Sequence, residues 1–331
     1  MISSENDDNN SKSPKTKAEN YPQANAHQSN YCRHASLEDS ERCHSLSGQP
    51  QHTKPNEPIQ YTDGDVQCPI GELLDREHFR DKFDTTAYLQ DFYTQVEDPA
   101  MQMVLFFLPN IVARFPPTPS LLDFGAGPTV HVAVCFRNTV EEIYLADYLP
   151  QNRKELTKWL EGKSDFDWTS TLKIIAGREG LGWDKLVEME LLAKSKTKGI
   201  FHCDCHVDPA IKVPNKLFRT SFEIITSFFT LEYCCNTLNE YREAIRRVVH
   251  HIRPGGWLIM GGILEEHWCA FGGRKFKCLF ITHEFVVDCL RSAGLKVDEE
   301  RGSSPNNDPS GPSTIFYEIN GMFIICCRKV K

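Results

Sequence analysis

The chain of 331 residues lacks any apolar run approaching the roughly 20 residues that a bilayer-spanning helix needs, so no membrane segment is expected. It also lacks a surplus of positive charge. With 37 Lys and Arg against 45 Asp and Glu, the formal net charge is −8, and such a balance excludes a general nucleic-acid binder, which must neutralise phosphates. The N-terminus lacks the apolar core of a signal peptide, which points to a cytosolic protein. Residues 1–65 contain no Val, Phe or Trp and are rich in Ser, Asn, Gln, Pro and Lys. Such a segment buries too little surface to offset its ordering entropy, and it is expected to be a disordered polar tail.

A disulfide framework is missing as well. The thirteen cysteines are odd in number and include two adjacent pairs, Cys234-Cys235 and Cys326-Cys327, whose members do not readily bridge each other. Two cysteine and histidine groupings invite a zinc reading: Cys203-Asp204-Cys205-His206, and Cys32, His34, Cys43 and His44. Neither has two CxxC pairs at zinc-finger spacing, so no metal is expected.

What is present from residue 66 to residue 331 is one domain of alternating elements. Apolar and aromatic residues from Leu74 through Tyr93 recur at helical spacing, and a longer helical pattern over Ala100–Ala113 ends before Pro116 and Pro117. Ser120–Gly125 reads as a buried strand entering a Gly-rich turn, Thr129–Phe136 as a helix, and Glu142–Asp147 as the next strand. Strand, helix and strand at this spacing make a βαβ unit and hence a parallel sheet. The alternation continues with a helix over Gln151–Leu160, a strand near Leu172–Ile175, a charged helix over Trp183–Lys194 and a strand end at Phe201–Asp204. Then come a strand at Phe222–Phe228, a helix over Leu238–Ile252, a Pro254-Gly-Gly turn into a strand, and a helix over His283–Ala293. Leu295–Glu300 and Gly321–Arg328 follow without a helix between them, so a final antiparallel strand pair is expected on a doubly wound, mostly parallel α/β sheet.

The turn Asp123-Phe-Gly125-Ala-Gly127-Pro128 lies outside the carboxyl end of the first strand of that unit, where a doubly wound sheet binds its ligand. A dinucleotide turn would carry a third glycine at position 130, but Val130 stands there and Pro128 removes a backbone donor, which disfavours a diphosphate. Asp147 ends the second strand, and its carboxylate suits the two hydroxyls of a ribose, with Asn152 close behind. Asp204, after a later strand, suits an adenine amino group. A nucleoside without phosphates points to S-adenosylmethionine.

These residues carry a wider likeness. From about Phe83 to Lys329 the chain resembles the nicotinamide, phenylethanolamine, indolethylamine and thioether methyltransferases. The matching stretches include Tyr88-Leu-Gln-Asp-Phe-Tyr93, Leu122-Asp-Phe-Gly-Ala-Gly-Pro-Thr129, Asp147-Tyr-Leu-Pro-Gln-Asn152, Phe166-Asp-Trp168, Thr230-Leu-Glu232, Arg253-Pro-Gly-Gly256 and Leu264-Glu-Glu-His-Trp268. The resemblance implies a Rossmann-like methyltransferase fold with a helical N-terminal lid at about 70–115, and a cytosolic monomer acting on a small-molecule amine. It implies cofactor contacts from Tyr88, Tyr93, Gly125, Ala126, Gly127, Thr129, His131, Asp147, Tyr148, Asn152, Asp204, Cys205 and Phe228. His131 departs from the usual tyrosine and Cys205 from the usual aliphatic residue. Glu232 and Glu266, at strand carboxyl ends, are the expected catalytic acids, which would attract an ammonium and accept its proton. Tyr88, Phe229, Glu232, Glu266 and Cys269 are the expected substrate contacts, and Phe229, Trp268 and Phe271 offer apolar walls for an aromatic amine. An amine N-methyltransferase is the leading expectation. A thioether S-methyltransferase and a catalytically silent cofactor-binding module are the alternatives.

Overall fold

The computed structural model describes residues 72–213, 220–297, 315–319 and 321–330. The expected polar tail therefore lies outside the described residues. The described chain begins with β1 (Leu73–Leu74), α1 (Arg76–Lys82), α2 (Thr85–Tyr93) and α3 (Pro99–Val112). An aspartate opens each of these helices: Asp75, Asp84 and Asp98 accept backbone N–H groups that have no partner within their own first turns.

The sheet domain follows in the order β2 (Thr118–Phe124), α4 (His131–Phe136), β3 (Val140–Asp147), α5 (Pro150–Leu160), α6 (Thr169–Glu179), α7 (Leu186–Lys196), β4 (Thr197–Cys203) and β5 (Ile211–Lys212). After it come β6 (Phe222–Phe228), α8 (Leu231–Cys234), α9 (Leu238–His250), β7 (Ile252–Ile263), β8 (Trp268–Phe271), β9 (Arg274–Lys277) and α10 (His283–Ser292). The last elements are β10 (Leu295–Lys296), β11 (Ile315–Ile319) and β12 (Met322–Lys329).

Strands run in the order β10-β12-β7-β6-β2-β3-β4-β5, and β11 also pairs with β12. The five from β7 to β4 are parallel, while β12 lies antiparallel to both β7 and β10. The expected mixed sheet is thus present, and the expected final pair is β10 with β12. Because β3 and β4 lie on one side of β2 while β6 and β7 lie on the other, the order reverses beside β2, opening a crevice above the carboxyl ends of β2 and β6. Apolar clusters fill both faces of the sheet, one against α3 to α7 and one against α9 and α10.

The strand expected near Leu172–Ile175 is instead the middle of α6. Leu172, Ile175 and Ala176 are all buried, at a spacing of three and four residues, so one helical stripe meets the core while Lys173 stays partly outside. A second, three-stranded sheet, β1-β9-β8, was not apparent in the pattern of apolar residues. Its hairpin turns at Gly272 and Gly273, both with positive φ, and β1 joins β9 in parallel through Leu73 and Leu74.

Candidate functional site

A cavity of ≈ 370 Å³ opens above the crevice. Its floor is the turn between β2 and α4. Gly125 N and Ala126 N both donate to the Ala146 carbonyl at 2.8 Å, which bends the chain sharply out of β2. Gly125 has φ +78°, and a Cβ there would lie 2.3 Å from Thr230 Cγ2, so only glycine fits. Gly127 also has positive φ, but a Cβ there would meet nothing closer than 3.9 Å. That open space belongs to the cavity.

Asp147, at the end of β3, anchors this floor. Its Oδ2 accepts from Gly127 N at 2.8 Å, and its Oδ1 accepts from Leu149 N at 2.8 Å and Asn152 Nδ2 at 3.1 Å. Burial pushes its carboxyl above the ordinary range, and the hydrogen bonds from Leu149, Gly127 and Asn152 pull it back. Asn152 in turn accepts from the Thr85 hydroxyl at 2.9 Å, tying the floor to α2. On the opposite wall, Asp204 spends Oδ1 on the backbone N of His206 at 2.9 Å, and its own N–H closes the loop onto Ala210.

The roof is aromatic. Phe83, Tyr88 and Phe92 from the entry segment meet Phe271 of β8 at ring separations of 5.1, 5.3 and 6.0 Å, and Phe276 of β9 stacks on Phe271 at 4.4 Å. Tyr88 and Tyr93 would be about 140° apart on an ideal helix. Even so, both line the cavity, their rings 6.1 Å apart, because α2 ends beside it. Tyr93 stacks on His131, whose imidazole burial holds down to about 4 and therefore neutral at neutral pH. Phe229 has φ +48°, a sparsely populated backbone for a bulky residue, and it too lines the cavity.

The structure gathers Tyr88, Tyr93, Gly125, Ala126, Gly127, Thr129, His131, Asp147, Tyr148, Asn152, Asp204, Cys205, Phe228, Phe229 and Cys269 around this one cavity. Glu232 and Glu266 are not among the residues that line it. Glu232 is 1% exposed, its Oε1 accepts from Ile263 N at 3.2 Å, and a Cβ on Gly262 would fall 2.7 Å from that oxygen. It sits behind the wall that Ile263 presents, and burial pushes its carboxyl up to about 7. Glu266 is partly exposed and accepts from the backbone N of His267 at 3.2 Å, within its own turn.

A carboxylate that the sequence reading did not single out lines the cavity instead. Asp98 is 3% exposed. Its Oδ1 accepts from Ala100 and Met101, whereas Oδ2 is buried with no hydrogen-bond partner. Its charge reaches Tyr88, Tyr93 and Cys269, whose protons are held on mainly by burial and further by this neighbour. The Asp-Pro pair at a helix start signals the cap. Nothing in the pattern signals that this acid lies near these three side chains or that its second oxygen is left without a partner. Asp123 is a further buried acid of the lining; burial pushes it up to about 7, against the hydrogen bond from the Thr226 hydroxyl.

The lining fits the nucleoside that the sequence suggested. The open glycine cradle at Gly127, the single bond accepted by Asp147 Oδ2 and the scarcity of cations on the floor suit a cationic, unphosphorylated ligand.

The NNMT/PNMT/TEMT family matches residues 71–330. The nicotinamide N-methyltransferase of Caenorhabditis elegans is 38% identical over 252 residues, which cover 72% of this chain and 90% of the relative. The indolethylamine N-methyltransferase of Oryctolagus cuniculus is 25% identical over 238 residues, covering 69% and 88%. The phenylethanolamine N-methyltransferase of Mus musculus is 29% identical over 214 residues, covering 64% and 70%.

Proposed function

The chain belongs to the NNMT/PNMT/TEMT family of S-adenosylmethionine-dependent methyltransferases, and from that premise we propose that it N-methylates a small aromatic or heteroaromatic amine in the cytosol. No helix among the described residues is long and apolar enough to cross a membrane. Bound S-adenosylmethionine supplies a methyl group activated by a sulfonium. The residues proposed to hold it are Asp147 and Asn152 at the ribose, the Gly125 to Gly127 turn and Thr129 at the methionine end, and Asp204, Cys205 and Phe228 around the adenine, with Tyr88 and Tyr93 above.

The observation that carries the amine reading is the unpartnered Oδ2 of Asp98 beneath the aromatic roof. A buried acceptor without a partner is costly. An ammonium, or a ring nitrogen gaining positive charge as it accepts a methyl group, would satisfy it. Fixed charge aimed at charge that develops during reaction is the strongest form of electrostatic help, and here Asp98 provides it while Phe92 and Phe271 exclude water. Glu232 acts from behind the wall that Ile263 presents, by charge and shape rather than by contact. An ammonium can in addition donate an N–H to Oδ2, which neither a pyridine-type nitrogen nor a thioether can.

Transfer of labelled methyl groups to a panel of aromatic ethylamines, pyridine carboxamides and thioethers tests the proposal. Turnover is expected on nitrogen acceptors. Turnover confined to thioethers would replace it with the S-methyl reading, and no turnover on any acceptor, with cofactor still bound, would favour a silent binding module.

A further inference from the structure

Three soft ligands converge at the edge of the cavity, on segments far apart in sequence. Cys205 and His206 belong to the turn after β4, and Cys235 caps the end of α8; one donor atom from each lies within 4.8 Å of the other two. Cys205 and Cys235 are 5% and 3% exposed, and both are free thiols. We propose that Cys205, His206 and Cys235 form a binding site for a thiophilic divalent cation of the Zn²⁺ class, set in the wall of the cavity.

The scaffold around the three residues is already fixed. Asp204 Oδ1 accepts from His206 N, Asp204 N donates to Ala210 O, and Arg247 Nη1 donates to the Cys205 carbonyl at 3.0 Å, so the turn is held on several sides. Cys235 N donates to Leu231 O at 3.1 Å, which fixes the other arm. His206 Nε2 lies 2.8 Å from the Cys234 carbonyl, and because a carbonyl only accepts, that nitrogen carries the hydrogen. Nδ1 is then left with the lone pair that a metal needs, in the arrangement by which an outer carbonyl orients a ligating imidazole. Two cations stand close by: Arg247 on the Cys205 carbonyl, and Arg76, 3.2 Å from His206 Nε2 and paired with Glu240 at 2.7 Å.

Two thiolates and one imidazole are a known donor set for tetrahedral zinc with one open position. Bond lengths of about 2.0–2.3 Å place tetrahedral ligand atoms roughly 3.5–3.8 Å apart, so the ion would draw these donors inward by about 1 Å or less. Cys205 and His206 line the cavity, so the site borders it. Binding replaces two S–H bonds with two metal–sulfur bonds and releases both protons to solvent, with no change in oxidation state.

The test uses the reduced full-length chain and Co²⁺ as the probe, with Zn²⁺ as competitor. One equivalent of Co²⁺ is expected to give tetrahedral d–d absorption and a thiolate-to-cobalt charge-transfer band, both abolished by Zn²⁺. Cys235→Ser and His206→Gln are each expected to weaken binding at least about tenfold, with circular dichroism reporting whether the variants fold. Independently of any variant, Zn²⁺ should protect Cys205 and Cys235 from alkylation in the unaltered chain, as mapped by mass spectrometry. Absence of the charge-transfer band overturns the proposal. So does protection that falls on other cysteines, such as Cys32 and Cys43 of the N-terminal region.

Discussion

On the floor of the cavity, directional polar bonds do the holding: Gly125 N and Ala126 N on one carbonyl, Gly127 N, Leu149 N and Asn152 on one carboxylate. Across the cavity the roof is held by contact between Phe83, Tyr88, Phe92, Phe271 and Phe276, with little directional bonding between them. The difference separates two tasks. Hydrogen bonds fix a ligand by the position of its polar atoms and tolerate few changes in chemistry. A roof of rings accepts any flat apolar surface of suitable size. The floor therefore suits a constant cofactor, and the roof suits an acceptor that differs from one relative to another.

The sharpest way to break this comparison is Phe271→Ala, which removes the ring on which the roof converges. It is expected to lower stability by about 3–5 kcal/mol, measured by denaturant unfolding. A loss under about 1 kcal/mol would mean that the roof is not a packed unit. Next, Glu232→Gln tests whether the acid behind the wall strains the fold. A carboxyl whose folded pKa is raised from 4.5 to about 7 binds more protons folded than unfolded between those values, so its contribution to stability falls as pH rises through that window. The variant should gain up to about 3 kcal/mol over the unaltered chain between pH 4.5 and 8, and nothing at pH 4. His131 acts in the opposite direction, since its depressed value costs stability as pH falls from 6.5 towards 4; the difference between variant and parent isolates Glu232.

On the floor, Asp147→Ala should weaken S-adenosylhomocysteine binding by about 1.5–3 kcal/mol in calorimetry, the scale of a charged hydrogen bond. Unchanged binding would remove Asp147 from the ribose. The smallest effect sharpens the border between the regions. Asp98→Asn keeps the Oδ1 cap and removes the charge, so stability should move by less than about 0.5 kcal/mol. The KM for ammonium substrates should rise about tenfold, or roughly 1.4 kcal/mol, while that for neutral heteroaromatics and the affinity for S-adenosylhomocysteine stay unchanged. Equal effects on both substrate classes would reduce Asp98 to a cap.

The floor was legible in the sequence because its signals are local. Glycines at a strand end, an acid at the next strand end and a short run rich in β-branched and aromatic residues such as Phe222–Phe228 need no knowledge of the rest of the chain, and β6 spans those seven residues. The roof was legible only in part. Tyr88 and Tyr93 were found through family likeness. Phe271 was legible as an apolar wall for an aromatic amine, but Phe276 was not found, although Gly272-Gly273 between two short apolar-bearing runs is a hairpin signal. Leu172–Ile175 misled because paired isoleucine suits a strand as well as a helix, and only the position of the core decides between them. The place of Asp98 Oδ2, and that of Glu232 behind Ile263, depend on how α3 and β7 meet the other elements, which is a tertiary matter.

The bridge between β1 and β9 is a thin joint. It joins two residue pairs only, Leu73 with Lys275 and Leu74 with Phe276, at the point where the described chain enters the roof. At about 0.5–1.5 kcal/mol net for each hydrogen bond, such a bridge comes apart at small cost. The far end of the entry segment runs instead into α3, whose buried face is continuous with the core. Side-chain bonds supplement the bridge, with Gly272 N donating to Asp91 Oδ2 at 2.7 Å and Arg274 Nη1 donating to the Lys82 carbonyl at 2.9 Å, so the helical entry segment and the β8-β9 hairpin are fastened to each other at three places and together form one cover over the cavity.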